Sequence, residues 1–470
     1  MRDGPIHLIL APWLAGREPD LDLAFELTGA DVYARSLRAR GHRVRFLVAG
    51  PSPGPAGARE RWLATLNALD IACDELVSSD EARHVRVARA LFLKLARQED
   101  IYKAAHEGEE AYFLAVRKRL RPILEQLQAH PEFIQPPERR DALLRLPGEE
   151  GALDPLVARR RHGTGTGVPS DPGFVVEPWF DLLATYLTGC GYLDDPALME
   201  SCWPPHLQVV DEETLIVHAF AWPAMLAALG LSRPHRLLVR GNLRLEGIGP
   251  TDGAPPDLSP LALAARYGAD ATRYALLRNV SYVAGARLSP AQAVPAAREP
   301  FAEALQELLD TVLASLQAER AGVVPGAGPL GAAESQLLHA ADAMAVAVAE
   351  SIAAFDFQHA LSHIGSTVTR ALEYARRAGG AENDVSGPPE RRRDLELFTL
   401  AEATRRIAWS LAPFLPRTAM AIYHCLGTEP RVLAPGGPPA AGGIPAGTRI
   451  RHPAGPLPLA RGGGGSDAHE

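Results

Sequence analysis

The sequence predicts an α/β fold, in which a parallel sheet covered by helices is followed by an α-helical bundle. Apolar runs at 6–11 and 43–48 predict two short buried strands. Between them, Leu21 to Arg40 carries apolar residues at helical spacing, and Gly41 stands where a helix would stop. Such a strand–helix–strand unit implies parallel strands joined by a right-handed crossover. From 301 to about 427 the apolar period is helical throughout, which is typical of an antiparallel bundle.

The middle of the chain is less regular. Residues 83–98 and 111–129 show helical spacing, whereas 137–172 is rich in Arg, Gly and Pro and predicts an irregular connector. Strand and helix patterns then return, in the order strand 174–176, helix 180–189, strand 207–210, helix 214–229 and strand 236–239. Residues 428–470 are rich in Gly and Pro and predict a mobile tail.

Composition excludes several classes of protein. No apolar run approaches the length of a bilayer span and the opening segment lacks a cleavage site, so we expect neither a membrane anchor nor a signal peptide. Four cysteines lie far apart without a CxxC pair, which favours a reducing, cytoplasmic location and argues against a structural zinc site. Residues 104–130 contain no cysteine, and no metal is implied. The net charge of −8 gives no general attraction to nucleic acid.

Several segments together resemble methionyl-tRNA synthetase, a class I aminoacyl-tRNA synthetase, in that family's order and at nearly its spacing. The segments are DIYK (100–103), FIQPPERR (133–140), WFD (179–181), HAFAWPAML (218–226), RYGADATRYALL (266–277), LAPFLPRTA (411–419) and PAGTRIRHPAGPLPL (445–459). The resemblance implies a Rossmann-like parallel-sheet catalytic domain and a helical anticodon-binding-like domain. The predicted domains are the first Rossmann-like half (1–112), a reduced connective segment without a zinc knuckle (113–172), the second half (173–300), the helical domain (301–430) and a Gly/Pro-rich tail (431–470).

The family's His-x-Gly-His motif, whose histidines stabilise charge on the ATP α-phosphate, is absent from the matching helix start. Asp20, Asp22 and Leu23 stand on the His, Gly and His positions. Carboxylates have the wrong sign to stabilise a developing negative charge. Asp20 also has a structural explanation, because an acidic residue at a helix start caps free backbone amides.

The family's mobile Lys-Met-Ser-Lys-Ser loop is replaced by a Gly/Pro turn. Gly249, Thr251 and Asp252 occupy the loop, and Asp252 stands where the second lysine should be. Arg240 and Arg244 lie nearby and could reach a phosphate, but a strand arginine is poorly placed to imitate a mobile loop. The aspartates and the missing lysines predict that ATP does not bind, and the resemblance implies no other cofactor.

The positions that surround the amino acid in the family are partly kept. The aspartate that holds the ammonium group is replaced by Pro51, and a Gly-Lys-Asp turn retains a carboxylate at Glu213. Trp179, Tyr186 and His218 match the wall around the methionine side chain, where aromatic rings suit a thioether. These positions are therefore the candidate amino-acid pocket, although packing in the core explains the three aromatic residues equally well.

The tRNA-facing half also departs from the family. Residues 301–430 carry ten arginines, no lysine and sixteen acidic residues. The asparagines and the tryptophan that read the anticodon in the family are missing, and single-stranded RNA recognition depends on such stacking. An acidic domain supplies few phosphate contacts, so tRNA binding is not expected.

Two functions follow from the resemblance. The first is a pseudoenzyme, inactive as a methionine–tRNA ligase and kept for binding a methionine-like small molecule or a protein partner that the sequence does not identify. The alternative is an amino-acid-activating, adenylate-forming ligase with rebuilt phosphate contacts, for which Arg17, Arg240, Arg244 and His162 are the candidate cations. An ordinary methionine–tRNA ligase is the least favoured, because four separate motifs differ.

Overall fold

The structure is a computed structural model, and it describes residues 6–10 (backbone only), 19–50, 57–146, 154–160, 165–247, 255–295, 299–377, 388–430, 443–453 and 455–460. The strands, numbered in chain order, are β1 (Ile6–Leu10), β2 (Val44–Ala49), β3 (Glu75–Val77), β4 (Ile101–His106), β5 (Glu109–Leu114), β6 (Ile134–Gln135), β7 (Leu156–Arg160), β8 (Gly167–Val168), β9 (Asp171–Val176), β10 (Leu207–Val210), β11 (Arg236–Val239), β12 (Leu243–Leu245) and β13 (Ala286–Leu288).

The helices are α1 (Leu21–Ala39), α2 (Ala58–Ala68), α3 (Ala82–Arg97), α4 (Leu120–Ala129), α5 (Pro137–Leu143), α6 (Pro178–Gly189), α7 (Pro196–Cys202), α8 (Trp222–Leu229), α9 (Pro260–Tyr267), α10 (Ala269–Asn279), α11 (Pro290–Ala293), α12 (Pro300–Arg320), α13 (Ala332–Ala353), α14 (Phe357–Arg377), α15 (Pro389–Leu411) and α16 (Pro416–Cys425). One π-helical turn, Val217–Ala221, leads directly into α8.

The central sheet has the strand order β3-β2-β1-β10-β11-β6, and every pairing in it is parallel. Apolar residues of α1 pack with Phe46 and Val48 on one face, whereas those of α6 and α8 pack with Leu47 and Val210 on the other. The connections that leave β1 and β10 therefore cover opposite faces. The predicted α/β fold class is confirmed, and the topological switch point lies between β1 and β10.

Helix α1 packs closely against the side chain of Tyr282 at one glycine, Gly29. A Cβ at Gly29 would lie 2.1 Å from the Tyr282 ring, so glycine at this position lets that ring pack against the helix. The Tyr282 hydroxyl then donates a 2.9 Å hydrogen bond to the backbone carbonyl of Glu26. This contact fixes the first two turns of α1, which carry the acidic residues of the candidate site.

Strands β4, β5, β7, β9 and β8 form a second, antiparallel sheet, and two predictions about this region are wrong. Residues 109–114 are strand β5 rather than the start of a helix, because they pair with β4 across a turn in which Glu107 and Gly108 both have positive φ. The predicted irregular connector 137–172 contains α5 and the strands β7, β8 and β9. The predicted boundary at residue 113 falls inside β5.

The C-terminal half is helical, as predicted, and α12 to α16 bury a common apolar core. None of the helices in the described part of the chain combines the length and apolar character that a bilayer span requires. The predicted mobile tail is wrong for 443–453 and 455–460. Ile444, Leu457 and Leu459 are buried, and backbone hydrogen bonds join Val324 to Thr448 and Arg451 to Cys425. Glycine and proline content concealed these buried side chains.

Candidate functional site

Four polar residues meet at the switch point of the central sheet. Asp211 follows β10 and Arg240 follows β11, at adjacent positions because Val210 and Val239 are paired in register. Asp22 and Glu26 lie on the first two turns of α1. In open α/β sheets, ligands bind in the crevice outside the carboxyl ends of the strands at this point. The four residues therefore define the candidate site.

Arg240 is the centre of this group, and its side chain is only 2% exposed. Its two terminal nitrogens donate to the two carboxylate oxygens of Asp22, at 2.8 and 2.9 Å. The second nitrogen also donates to Oε2 of Glu26 at 2.7 Å. Burial lowers the pKa of the guanidinium, but the neighbouring carboxylates outweigh burial and hold that pKa well above its ordinary value. Arg240 is therefore a permanently charged group that is already paired within the protein.

The helix-start residues predicted to replace the catalytic motif each have a structural partner. Asp20 caps α1 by accepting a 3.0 Å hydrogen bond from the amide of Leu23, as its structural explanation predicted. Asp22 accepts the amide of Leu243 at 2.6 Å in addition to Arg240, which ties α1 to β12. Leu23 is buried in the core. Asp22 therefore does not present an uncompensated charge, contrary to what its sequence position suggested.

Glu26 is a functional candidate that the sequence analysis missed. Its side chain is fully buried, and among the described residues its Oε1 has no hydrogen-bond partner. The pKa of Glu26 is raised to about 8, chiefly by burial; Arg240 opposes this increase, and Asp211 and Asp22 add to it. An acid four residues after Asp22, among the apolar residues of a mostly buried helix, was the available signal.

Asp211 connects the acidic group to the predicted pocket residues. Its Oδ1 accepts hydrogen bonds from the amide and the hydroxyl of Thr214, both at 2.7 Å. Burial raises the pKa of Asp211, and Arg240 partly offsets the increase. The backbone carbonyl of Thr214 in turn accepts a 2.8 Å hydrogen bond from Nδ1 of His218. This chain of contacts fixes the imidazole ring relative to the switch point.

Tyr186 and His218, two of the four predicted pocket residues, are brought together. The Tyr186 hydroxyl lies 2.8 Å from Nε2 of His218. Because a carbonyl can only accept, the Thr214 contact assigns the proton of the neutral imidazole to Nδ1, so Tyr186 donates to Nε2. Burial lowers the pKa of His218 to about 4 and raises that of Tyr186 well above its ordinary value. Trp222 meets the Tyr186 ring edge-on, with centroids 5.7 Å apart.

The other two predicted pocket residues contact different partners. Trp179 lies on the first turn of α6, where its indole donates a 2.8 Å hydrogen bond to the carbonyl of Leu156. The carboxylate of Glu213 is 53% exposed and pairs with Arg244, the second arginine considered for a phosphate contact. A hydrogen bond from His218 to a thioether is also unavailable, since both ring nitrogens are engaged.

Several predicted positions lie outside the described residues. They are Arg17, Pro51, His162, Gly249, Thr251 and Asp252. The predictions for the phosphate-binding loop and for the lost ammonium anchor therefore stay predictions. The same holds for the absence of a cofactor.

Comparison with known proteins gives consistent matches. The family described as tRNA synthetases class I (M) matches residues 106–313. The methionine–tRNA ligase of Caldanaerobacter subterraneus subsp. tengcongensis is 28% identical over 453 residues, covering 86% of this chain and 71% of the relative. That of Rhizobium meliloti is 26% identical over 473 residues, covering 89% of this chain and 91% of the relative.

Solved structures give the same result. Mycobacterium tuberculosis methionyl-tRNA synthetase in complex with methionyl-adenylate superposes with a TM-score of 0.84 at 24% identity, covering 97% of this chain and 100% of that one. The apo form of that enzyme has a TM-score of 0.82 at 25% identity, with coverages of 97% and 98%. In sequence over most of its length, and in its arrangement of sheet and helical bundle, the chain is similar to methionyl-tRNA synthetases.

Proposed function

We propose that this chain is a methionyl-tRNA synthetase-like protein without aminoacylation activity, which binds an amino acid or a related small amine at the switch point. One observation carries the proposal: the buried guanidinium of Arg240, at the point where a nucleotide would need positive charge, is occupied by Asp22 and Glu26. Catalysis on phosphates relies on cations that are free to meet the developing charge.

The charge balance of the site disfavours a triphosphate. Asp22, Glu26 and Asp211 bring three carboxyl groups to a single guanidinium, so the group stays anionic even when Glu26 holds a proton. In a buried environment, unpaired like charges are strongly unfavourable. A ligand that carries a positive group relieves this imbalance, whereas a phosphate increases it.

Glu26 offers a replacement for the missing ammonium anchor. Its unpaired Oε1 is a buried acceptor, and the charge of Glu26 is one of the causes that raise the pKa of Tyr186. An ammonium group would satisfy that oxygen and displace the proton from Glu26. Tyr186 and Trp222 supply aromatic surface for an apolar side chain such as that of methionine. A methionine-like amine is therefore the favoured ligand.

Binding of tRNA is not part of the proposal. The helical half carries sixteen acidic residues against ten arginines, and phosphate contacts dominate affinity for nucleic acid. Arg393, which belongs to a run of three arginines, pairs with Glu319 and Glu396 rather than extending as a cationic patch.

The direct test is ATP–pyrophosphate exchange with each of the common amino acids. We expect no exchange above the background of the purified protein, because no described cation at the switch point is free for the triphosphate. Exchange with methionine or another amino acid would overturn the proposal and favour the adenylate-forming ligase instead.

A thermal-shift series separates binding from catalysis. Methionine should raise the melting midpoint, whereas ATP and the analogue of methionine that lacks the amino group should not, because ligand binding to the folded state stabilises by mass action. The matched variants are Glu26→Gln, which should abolish the shift, and Glu303→Gln on the exposed face of α12, which should keep it. Equal shifts of the melting midpoint with methionine and its deaminated analogue would show that Glu26 does not bind the ammonium group.

A further inference from the structure

A cavity of about 680 Å³ lies at the amino ends of the strands of the central sheet, away from the switch point at their carboxyl ends. It opens between α4 and α8 and is lined by residues that precede strands: Glu132 before β6, Pro204 before β10 and Arg233 to His235 before β11. A strand advances about 3.3 Å per residue, so His235 and Arg240 lie roughly 16 Å apart along the chain. This cavity is therefore separate from the candidate site at the switch point.

The walls of the cavity are apolar on two sides. Pro122 and Ile123 of α4 face Leu226 and Ala227 of α8, and Leu231 follows α8 along the same wall. Cavities of a few hundred cubic ångströms with apolar walls and a few polar groups are typical of sites for small organic molecules. The volume is sufficient for a ligand with a ring or a short aliphatic chain.

Arg233 supplies an incompletely paired cation at this cavity. Its guanidinium lies 4.1 Å above the Phe133 ring, and one terminal nitrogen donates a 3.2 Å hydrogen bond to the carbonyl of Pro234. Among the described residues, the Pro234 carbonyl is the acceptor for the Arg233 guanidinium, which has five N–H donors, so most of these donors are available to a ligand. Burial lowers the pKa of Arg233, because the charged form is partly desolvated, and the nearby Glu132 opposes this effect.

Arg119 supplies a second guanidinium on the α4 side. One of its terminal nitrogens donates to Asp100 at 2.8 Å, and its Nε is buried with no hydrogen-bond partner among the described residues. The carboxylate nearest to the cavity, Glu132, is engaged by His130 at 3.2 Å. The lining therefore brings two guanidinium groups, Arg233 and Arg119, to a cavity that holds one carboxylate, which favours an anionic ligand.

We propose that this cavity binds a small organic carboxylate, whose anionic group is held by Arg233 and Arg119 and whose apolar part packs between α4 and α8. The planar fork of a guanidinium matches the two oxygens of a carboxylate. Its partly desolvated position strengthens the interaction relative to one in water.

The test uses the full-length protein and ligand-observed NMR titrations with phenylacetate, phenylacetamide and inorganic phosphate. We expect saturable binding of phenylacetate. Phenylacetamide and phosphate should bind more weakly by about tenfold or more, because a hydrogen bond to a charged group contributes about ten- to a hundredfold in affinity. Phenylacetamide binding as tightly as phenylacetate would overturn the anion requirement. Phosphate binding as tightly would overturn the role of the apolar walls.

Three variants place the ligand in the cavity. Arg233→Gln should weaken phenylacetate binding by about tenfold, and Ala227→Trp should block the cavity from an exposed position on α8. The matched control is Arg121→Gln, which removes the same charge from the outer face of α4, where the side chain is 90% exposed. Unchanged phenylacetate binding in both cavity variants would overturn the proposal. If Arg233→Gln fails to fold, Ala227→Trp and the wild-type ligand comparison decide the question.

Discussion

At the scale of single residues, the buried ion group around Arg240 dominates the candidate site. Replacing Arg240 by Met would leave the fully buried Glu26 and the partly buried Asp22 without their cation. We expect Arg240→Met to lower the free energy of unfolding by about 3–5 kcal/mol, measured by urea denaturation. The control is Arg244→Met, which breaks the more exposed pair with Glu213 and should cost less than about 1 kcal/mol. Similar costs for the two variants would contradict this description.

Glu26 should make stability depend on pH in a defined direction. Its pKa is raised from 4.5 to about 8 in the folded protein, so between these values the unfolded chain loses a proton that the folded chain keeps. The contribution is complete below pH 4.5 and is lost as pH rises through 8, with a slope of at most about 1.4 kcal/mol per pH unit.

The measurement belongs between pH 6.5 and 8. His218, whose pKa is lowered from 6.5 to about 4, is neutral in the folded protein throughout that interval. In the unfolded chain about half of it is still protonated at pH 6.5, so it opposes the Glu26 slope at the lower end of the interval and adds little near pH 8. The other groups near Glu26 are Asp22, Asp211, Arg240, Tyr186 and Tyr282. Stability of the wild type should fall across the interval, Glu26→Gln should flatten the fall, and Glu303→Gln should keep it. An unchanged slope in Glu26→Gln would contradict the raised pKa.

The sequence predicted the local contacts of these residues but not the distant ones. The cap at Asp20 follows from its place before a helix, and it depends on an amide three residues away. The pairing of Asp22 with Arg240 joins residues 218 positions apart and became visible only in the fold. Glu26 was missed for the same reason, since its partners come from the ends of two other strands.

At the scale of elements, prediction succeeded where one physical pattern acted alone. Strands β10 and β11 are buried on both faces, and their apolar runs gave the predicted bounds 207–210 and 236–239. The prediction for β5 failed because this strand belongs to a hairpin with one more buried and one more exposed face. The spacing of apolar residues over so short a segment does not distinguish a strand from a helix. The short strands β7, β8 and β9 were not predicted because Arg and Gly dominate the local composition.

The C-terminal segment 443–460 should contribute measurable stability. Leu457 is buried, and its amide donates a 2.7 Å hydrogen bond to the side chain of Gln306 on α12. Leu457→Ala should lower the free energy of unfolding by about 2–5 kcal/mol, because it opens a cavity against the bundle. Leu330→Ala is the control, since that side chain is exposed and should cost less than about 0.5 kcal/mol. Equal values in denaturant titrations would show that the segment is not part of the folded core.

At the scale of the whole molecule, Arg273 joins the sheet domain to the helical bundle. This fully buried residue of α10 pairs with Asp31 of α1 at 2.7 Å and donates to the backbone carbonyls of Pro413 and Phe414 after α15. Arg273→Met would leave those two carbonyls without their donor and would leave Asp31 with Arg35 as its remaining cation. We expect a loss of about 3–5 kcal/mol and two resolved transitions in calorimetry.

The control for Arg273 is Arg266→Met, on the exposed face of α9, which should leave one transition at the wild-type temperature. A single transition in Arg273→Met would mean that the two halves are coupled through other contacts. The sequence foresaw both halves of the molecule, because each follows from its own periodicity. The sequence did not predict the contacts of Arg273 that connect the two halves, because no local sequence pattern marks a buried arginine in an apolar helix.

The Asp22–Arg240 pair also constrains how this protein can change over generations. A mutation of Asp22 to glycine would remove both bonded oxygens and the acceptor for the Leu243 amide, leaving Arg240 with Glu26 alone. A mutation of Arg240 first would bury unpaired carboxylates, so each single step passes through a less stable protein. The two positions should therefore covary among descendants of this chain, and a change to glycine at position 22 should be accompanied by a change at position 240.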